Sequence, residues 1–302
     1  MRKLVQLIAR WYMGLDCRPL KRLVAQLYRL VSSVRRRRTV IATIDGITYE
    51  LDLNENIDSA IYYAGCFEPY VTRAIENLCR EGMTVLDVGA NVGCHTLRLA
   101  KLVGPSGKVI AFEPASWALS RLRRNVELND FHNIVIENLA LSNENKENQE
   151  VTLSCSWPIS SVGIDPSRLH PLHHGYMTRV AVNFVTFDSY IESKGITTVD
   201  LIKLDVDGYE LKMIQGAVNT LRAYKPVILM ELQPWGLAEV GDNAEDLVSL
   251  LSELGYKFHS DKTMRPFPRT DTMIQSALRG KLGNVILSTT DLSSGIALTR
   301  TI

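Results

Sequence analysis

The segment Thr84-Val-Leu-Asp-Val-Gly-Ala-Asn-Val-Gly93 governs how the rest of the chain is read. Its apolar half has the length and composition of a buried strand, and Gly89 and Gly93 follow it. A helix is expected to start near His95. Glycines at such a turn let a ligand approach the backbone, and the helix N-terminus offers free N–H groups. The spacing is G-x-x-x-G, not the G-x-G-x-x-G of dinucleotide binders. Asp87 sharpens the distinction. A carboxylate beside the turn repels a pyrophosphate but suits a ligand with an ammonium or sulfonium group, and S-adenosylmethionine carries both.

Outward from this turn, strand-like and helix-like segments alternate. Strands are expected at Thr84–Val88, Lys108–Glu113, Ile134–Asn138, Asp200–Asp205 and Val227–Glu231, with Tyr256–His259 and Asn284–Ser288 closing the sheet. Helices are expected after Gly93, over Ala115–Leu128, Leu211–Arg222 and Ala244–Leu254, and over Pro69–Arg80 ahead of the first strand. Such alternation points to an α/β fold, a parallel sheet with helices on both faces. Glu150–Cys155 and Thr178–Phe184 look like an inserted antiparallel pair around a Pro/His/Ser-rich loop, and Asn143–Gln149 like a polar loop. Upstream, Val40, Ala42 and Ile44 alternate, Asp45-Gly46 makes a turn, and Ile47, Tyr49 and Leu51 alternate again, which is a hairpin signature.

Two further segments carry chemistry. Twenty residues after Gly93, the second strand ends in Phe112-Glu113-Pro114, where an acid can accept hydrogen bonds from both ribose hydroxyls of an adenosine ligand. Beyond the third strand, Asn138 and Ala140 are candidates for the adenine edge. The strand Val199-Asp-Leu-Ile-Lys-Leu-Asp205 runs into Val-Asp207-Gly-Tyr-Glu210, which places three carboxylates within six residues. Ligands of open α/β sheets lie beyond the carboxyl ends of the strands, so Asp205 would face the transferable methyl. Asp207 or Glu210 can instead simply favour the following helix N-terminus.

These motifs resemble those of FkbM-family methyltransferases, a branch of the class I S-adenosylmethionine-dependent enzymes. The matching residues are Asp87–Gly93, Phe112-Glu-Pro114, Ile202-Lys-Leu-Asp-Val-Asp-Gly-Tyr-Glu210 and Met230-Glu231. Phe67-Glu68-Pro69 also resembles the family's approach to the cofactor. The resemblance implies a seven-stranded Rossmann-like sheet with its last strand antiparallel, preceded here by a helical arm and a hairpin. It implies S-adenosyl-L-methionine as cofactor, held by Glu68, Asp87, Gly89, Asn91, Gly93, Glu113, Asn138, Ala140 and Asp205. It further implies O-methylation of a hydroxyl on a sugar, a lipid-linked glycan or a polyketide. Asp205 is the first choice for the base or for orienting the acceptor, with Asp207, Glu210 and Glu231 in reserve. Many relatives have Glu and His where this chain has Asp207 and Tyr209, which leaves the identity of the base open. A hard cation binding a sugar diol through the same acids is a second reading, although no metal is assigned.

Composition narrows the alternatives. The chain has 302 residues, 46% hydrophobic and 22% charged, enough for a sizeable core and unlike a disordered or coiled-coil sequence. A net charge of +1 hides a division. Residues 1–38 hold eleven Lys/Arg against Asp16 (+10), and the remainder holds 23 bases against 32 acids (−9). An acidic body argues against nucleic acid as a partner. In the basic arm, Leu20, Leu23, Val24, Leu27, Tyr28 and Val31 form one helical stripe, suited either to packing on the body or to peripheral contact with an anionic membrane. The expected organisation is an arm over 1–38, a hairpin and helical lead-in over 39–82, and a methyltransferase domain over 83–302 with an insertion at about 149–184. Five scattered cysteines without C-x-x-C fit a reducing cytoplasm, peripheral to the membrane if the arm binds it. The apolar run Leu4–Ala9 is too short for a signal peptide. His170, His173 and His174 read as a surface loop rather than a metal cluster, and Cys94 as small-residue packing. A nicotinamide-dependent oxidoreductase and a non-catalytic, membrane-tethered cofactor-binding module are the competing functions.

Overall fold

The computed structural model describes residues 39–156, 176–279 and 283–292. The basic arm and the His170–His174 cluster lie outside the described residues.

The central sheet is built from β3 (Thr84–Val88), β4 (Lys108–Phe112), β5 (Ile134–Glu137), β9 (Leu201–Leu204), β10 (Val227–Glu231), β11 (Lys257–Ser260) and β12 (Asn284–Ser288). Its order is β11-β12-β10-β9-β3-β4-β5, and β12 runs antiparallel to both its neighbours. The order reverses at β3, which pairs in parallel with β4 on one side and β9 on the other. A crevice opens at such a reversal, above the carboxyl ends of the strands. This is the seven-stranded class I methyltransferase sheet that the motifs implied.

Burial on both faces explains the near-continuous apolar strands. Leu86, Ile110, Ile202, Leu204, Ile228 and Met230 pack beneath α6 (Glu210–Gln215), α7 (Val218–Tyr224), α9 (Ala244–Glu253) and α10 (Thr270–Leu278). Their neighbours in sequence, Val85, Val109, Leu201 and Leu229, face α2 (Pro69–Leu78) and α3 (Cys94–Val103). Each fully buried side chain of this size contributes about 1.5–3 kcal/mol.

The hairpin is β1 (Thr39–Ile44) and β2 (Ile47–Asp52), turned at Asp45 and Gly46 with both φ angles positive. It lies against α4 (Ser116–Glu127). Asn125 Oδ1 accepts from Glu50 N–H, and Asn129 bonds both backbone groups of Thr48. Arg121 is paired with the fully buried Asp58 of α1 (Asn56–Ala64). These ties hold α1 and the segment Phe67–Pro69 over the crevice.

Three expectations are corrected. The helix expected over Leu211–Arg222 is two, α6 and α7, broken at Gly216. A Cβ there would stand 2.0 Å from the Ser142 carbonyl oxygen, so the backbones meet where a continuous helix would need more room. The polar loop at Asn143–Gln149 is largely strand: β7 (Lys146–Ser156) pairs antiparallel with β8 (Tyr176–Thr186). A short β6 (Ala140–Ser142) adds to β8 in parallel, making a separate three-stranded sheet. Further helices, α5 (Phe187–Ser193) and α8 (Pro234–Glu239), complete the described elements together with α1 and α10.

Candidate active site

A cleft of about 520 Å³ opens above the carboxyl ends of β3, β4, β9 and β10. This volume lies within the range of small-molecule sites. Glu68, Gly89, Asn91, Glu113, Ala140, Asp205 and Asp207 all line it, so the structure brings together most of the residues singled out from the sequence.

On the β4 side, Glu113 is clamped between two turns. Its Oε2 accepts from Asn91 N–H and its Oε1 from Ala115 N–H, both at 2.8 Å. Burial pushes the Glu113 carboxyl up to about 7, against the lowering effect of those two donors. Phe112, Ala118, Leu139 and Leu141 supply an apolar wall beside it. Asn138 is exposed and does not line the cleft: its amide donates to the Glu113 and Pro114 carbonyls at 3.0 and 3.1 Å and shapes the turn.

At the centre, Gly89 has φ 82° and carries its backbone against the next strand. A Cβ there would fall 1.8 Å from the Asp205 carbonyl oxygen. Gly93 serves helix packing, since its Cβ would strike Leu122 at 2.6 Å. Asp87 is fully buried and does not face the cleft. Thr96 Oγ1 donates to it at 2.6 Å, and Lys203 Nζ stands 3.5 Å away. Lys203 thus stands as a protein cation beside Asp87.

Lys203 is the residue that sequence reasoning passed over. It is 4% exposed, donates to the Gly89 carbonyl at 3.0 Å and pairs with Asp205 at 3.2 Å. The signal was a lone charge inside the buried strand Leu-Ile-Lys-Leu, where a lysine needs fixed anions. Burial opposes its charge, but Asp205 and Asp87 more than compensate, so it stays protonated.

On the β9 and β10 side, Asp205, Asp207 and Glu231 offer oxygens within 4.8 Å of one another. Burial disfavours the Asp205 carboxylate, yet Lys203 and a hydrogen bond with Glu231 hold it below its usual range. Glu231 is driven well above the usual range by burial and by Asp205, so the proton they share rests on Glu231. Asp207 opens onto the cleft with φ 50°, and desolvation with the nearby Asp205 charge raises it to about 7. Glu210 is set apart from the cleft. Its buried carboxylate accepts from Val206 and Gly208 N–H at 3.2 Å and holds the Asp205–Glu210 loop in shape.

At the rim, the Tyr209 and Phe184 rings stack with centroids 6.2 Å apart, and Trp235 of α8 is 45% exposed. Gly208, with φ 105°, lets this rim form: a Cβ there would lie 2.3 Å from the Gly236 carbonyl oxygen.

This donor set fits S-adenosylmethionine. An acid-rich cleft suits a sulfonium cation, Glu113 is an acceptor for a ribose diol, and the apolar wall suits a purine. A cation bound to Asp205, Asp207 and Glu231 would have to compete with Lys203, which already neutralises Asp205.

Comparisons with known proteins agree. The profile described as the methyltransferase FkbM domain matches residues 87–258, more than half of the chain. The hexuronic acid methyltransferase AglP of Haloferax volcanii is 26% identical over 186 residues, covering 62% of this chain and 68% of that protein. A protein-L-isoaspartate O-methyltransferase of Methanothrix thermoacetophila is 44% identical over 55 residues, 18% of this chain, and the chain spans only 26% of that relative's length. The crystal structure of an FkbM methyltransferase from Methylobacillus flagellatus superposes with a TM-score of 0.44 at 16% identity, over 75% of this chain and 49% of that one. The chain is a methyltransferase with S-adenosylmethionine as its cofactor, and it belongs to the FkbM family.

Proposed function

We propose that the chain methylates a hydroxyl group on a sugar of a glycan or glycolipid. The observation that carries this reading is the pairing of an aromatic rim with carboxylates. Trp235, Tyr209 and Phe184 line the same cleft as Asp205 and Asp207. Aromatic faces pack on the C–H faces of sugar rings, and carboxylates accept hydrogen bonds from their hydroxyls. The similarity to AglP, whose name gives hexuronic acid as its substrate, supports a sugar acceptor.

S-adenosylmethionine supplies the methyl group to an in-line displacement at the acceptor oxygen. The chain's own contribution is placement and proton handling. Asp205, kept ionised by Lys203, accepts a hydrogen bond from the acceptor hydroxyl and orients it. Asp207, raised to about 7, is matched to take the proton near neutral pH, because a base with a pKa near the working pH is the most effective. The protonated Glu231 fixes the rotamer of Asp205. Removal of the hydroxyl proton is worth about 10²–10⁴-fold in rate.

A panel of neutral-hexose and uronic-acid glycans, with release of S-adenosylhomocysteine as the readout, tests this reading. Turnover is expected on sugars, and Trp235→Ala is expected to raise KM about tenfold with kcat nearly unchanged. Turnover confined to peptides or RNA would refute the assignment.

A further inference from the structure

The acceptor half of the cleft carries charge that the protein does not balance. Lys203 and His95 are the basic side chains among the described residues lining the cleft, and both are taken. Lys203 stands between Asp87 and Asp205, and His95 Nε2 lies 3.5 Å from Glu68 Oε2. Glu231 holds the proton it shares with Asp205 and so adds no charge. Asp207 and Glu239 remain. Both line the cleft, and neither carboxylate has an ion-pair or hydrogen-bond partner among the described residues.

Backbone packing sets where these two acids stand. Gly236 of α8 lies against the Asp205–Glu210 loop: a Cβ built on it would be 3.5 Å from the Gly208 nitrogen and 3.7 Å from the Asp207 carbonyl carbon. That contact seats α8 beside Asp207. Trp235 and Glu239 are four residues apart on α8, which puts them on one face of the helix. The Glu239 charge is felt at Asp207, where it adds to burial and to Asp205 in raising the carboxyl. A sugar ring held against Trp235 thus meets Glu239 one helical turn away and Asp207 across the Gly208–Gly236 contact. A cleft lined by one sign of charge concentrates that potential. A hydroxyl donates to a carboxylate, and an ammonium does so with charge assistance. A ligand carboxylate would instead give up its hydration and find no counter-charge.

We propose that Glu239, together with Asp207, sets the charge selectivity of the acceptor subsite, admitting uncharged or ammonium-bearing sugars and rejecting sugars that carry a carboxylate. The selectivity presupposes the sugar acceptor proposed above and narrows it to a class. Glu239 acts here on specificity alone, and the proton of the acceptor hydroxyl is handled at Asp207. Rejection of the wrong partner needs only a like charge placed against it.

Methyl glycosides that differ only at C6, and so keep every ring hydroxyl, test it. The probes are the hexoside, the 6-amino-6-deoxyhexoside and the hexuronoside in the gluco, galacto and manno series, given to the full chain with release of S-adenosylhomocysteine as the readout. In any series that turns over, kcat/KM is expected to be at least about tenfold lower for the uronoside than for the hexoside. The amino sugar should equal or exceed the hexoside. Glu239→Arg should raise the uronoside-to-hexoside ratio at least about tenfold, and Glu239→Gln should move it the same way by less. A uronoside used as well as its hexoside would overturn the proposal without any variant having to fold. So would an amino sugar penalised as heavily as the uronoside, because discrimination would then follow the size of the group and not its charge. A folded Glu239→Arg with the wild-type ratio would remove Glu239 from the role. Turnover of no sugar in any series would refute the sugar acceptor itself, and the charge selectivity would fall with it.

Discussion

Glu113 and Asp205 divide the work of the cleft at the scale of single residues. Glu113 takes its two hydrogen bonds from backbone N–H groups, so its position is set by the turns after β3 and β4 rather than by other side chains. Glu113→Gln keeps the shape but removes an acceptor, and should weaken S-adenosylhomocysteine about 10–100-fold by calorimetry. Asp205→Asn, which loses the orienting acceptor, should lower kcat by about 10²-fold while changing that affinity less than about threefold. The reverse pattern would exchange the two roles. Gly89, Glu113, Asp205 and Asp207 could be read from the sequence because glycines and acids at strand ends have few other uses. Lys203 could not, since its meaning depends on Asp87 of a different strand. The position of Asp87 beside the turn is visible in the sequence, whereas its pairing with Lys203 of the neighbouring strand is not.

At the scale of elements, backbone contacts rather than side chains bring the rim to the cleft. Gly208 packs on Gly236 and so sets α8, with Trp235, beside Asp207. Gly208→Ala puts a methyl group against a carbonyl at a φ of 105°, where side chains are strained. A loss of about 2 kcal/mol is expected, read as a fall of roughly 4–8 °C in Tm, together with a raised KM for the acceptor. Cofactor affinity should hold, because the Glu113 side does not touch this contact. The parallel strands and the Asp45-Gly46 hairpin were legible from local pattern alone. The break at Gly216 and the short strand β6 were not, because each arises from contact between segments some seventy or forty residues apart, Gly216 with Ser142 and Ala140–Ser142 with β8.

Over the whole molecule, buried acids tie stability to pH. Glu113 and Glu210 are both raised by burial from 4.5 to about 7. Between those values the folded chain keeps protons that the unfolded chain has released, so stability falls as pH rises. His95, raised from 6.5 to about 10, extends the same sign upward, while the depressed Asp205 costs stability only below its ordinary 3.8. The ligand-free protein should therefore have a higher Tm at pH 5.5 than at pH 8.5, by at least about 4 °C, measured by calorimetry. An unchanged or reversed order would mean that these acids are solvated in the folded state. The charge division of the sequence gains a structural meaning here. Within the acidic body, Glu68, Glu113, Asp205, Asp207 and Glu231 converge on one cleft. No helix among the described residues is long and apolar enough to cross a membrane.

Transfer of a carbon-13 methyl group from labelled S-adenosylmethionine to a glycan, followed by NMR of the product, tests the assignment most directly. A new methyl ether resonance on a sugar ring carbon is predicted, and it should build up about 10²-fold more slowly with Asp205→Asn. A methyl ester or N-methyl resonance instead, or label that appears on protein or RNA and never on sugars, would contradict the reading of the cleft as a sugar O-methyltransferase site.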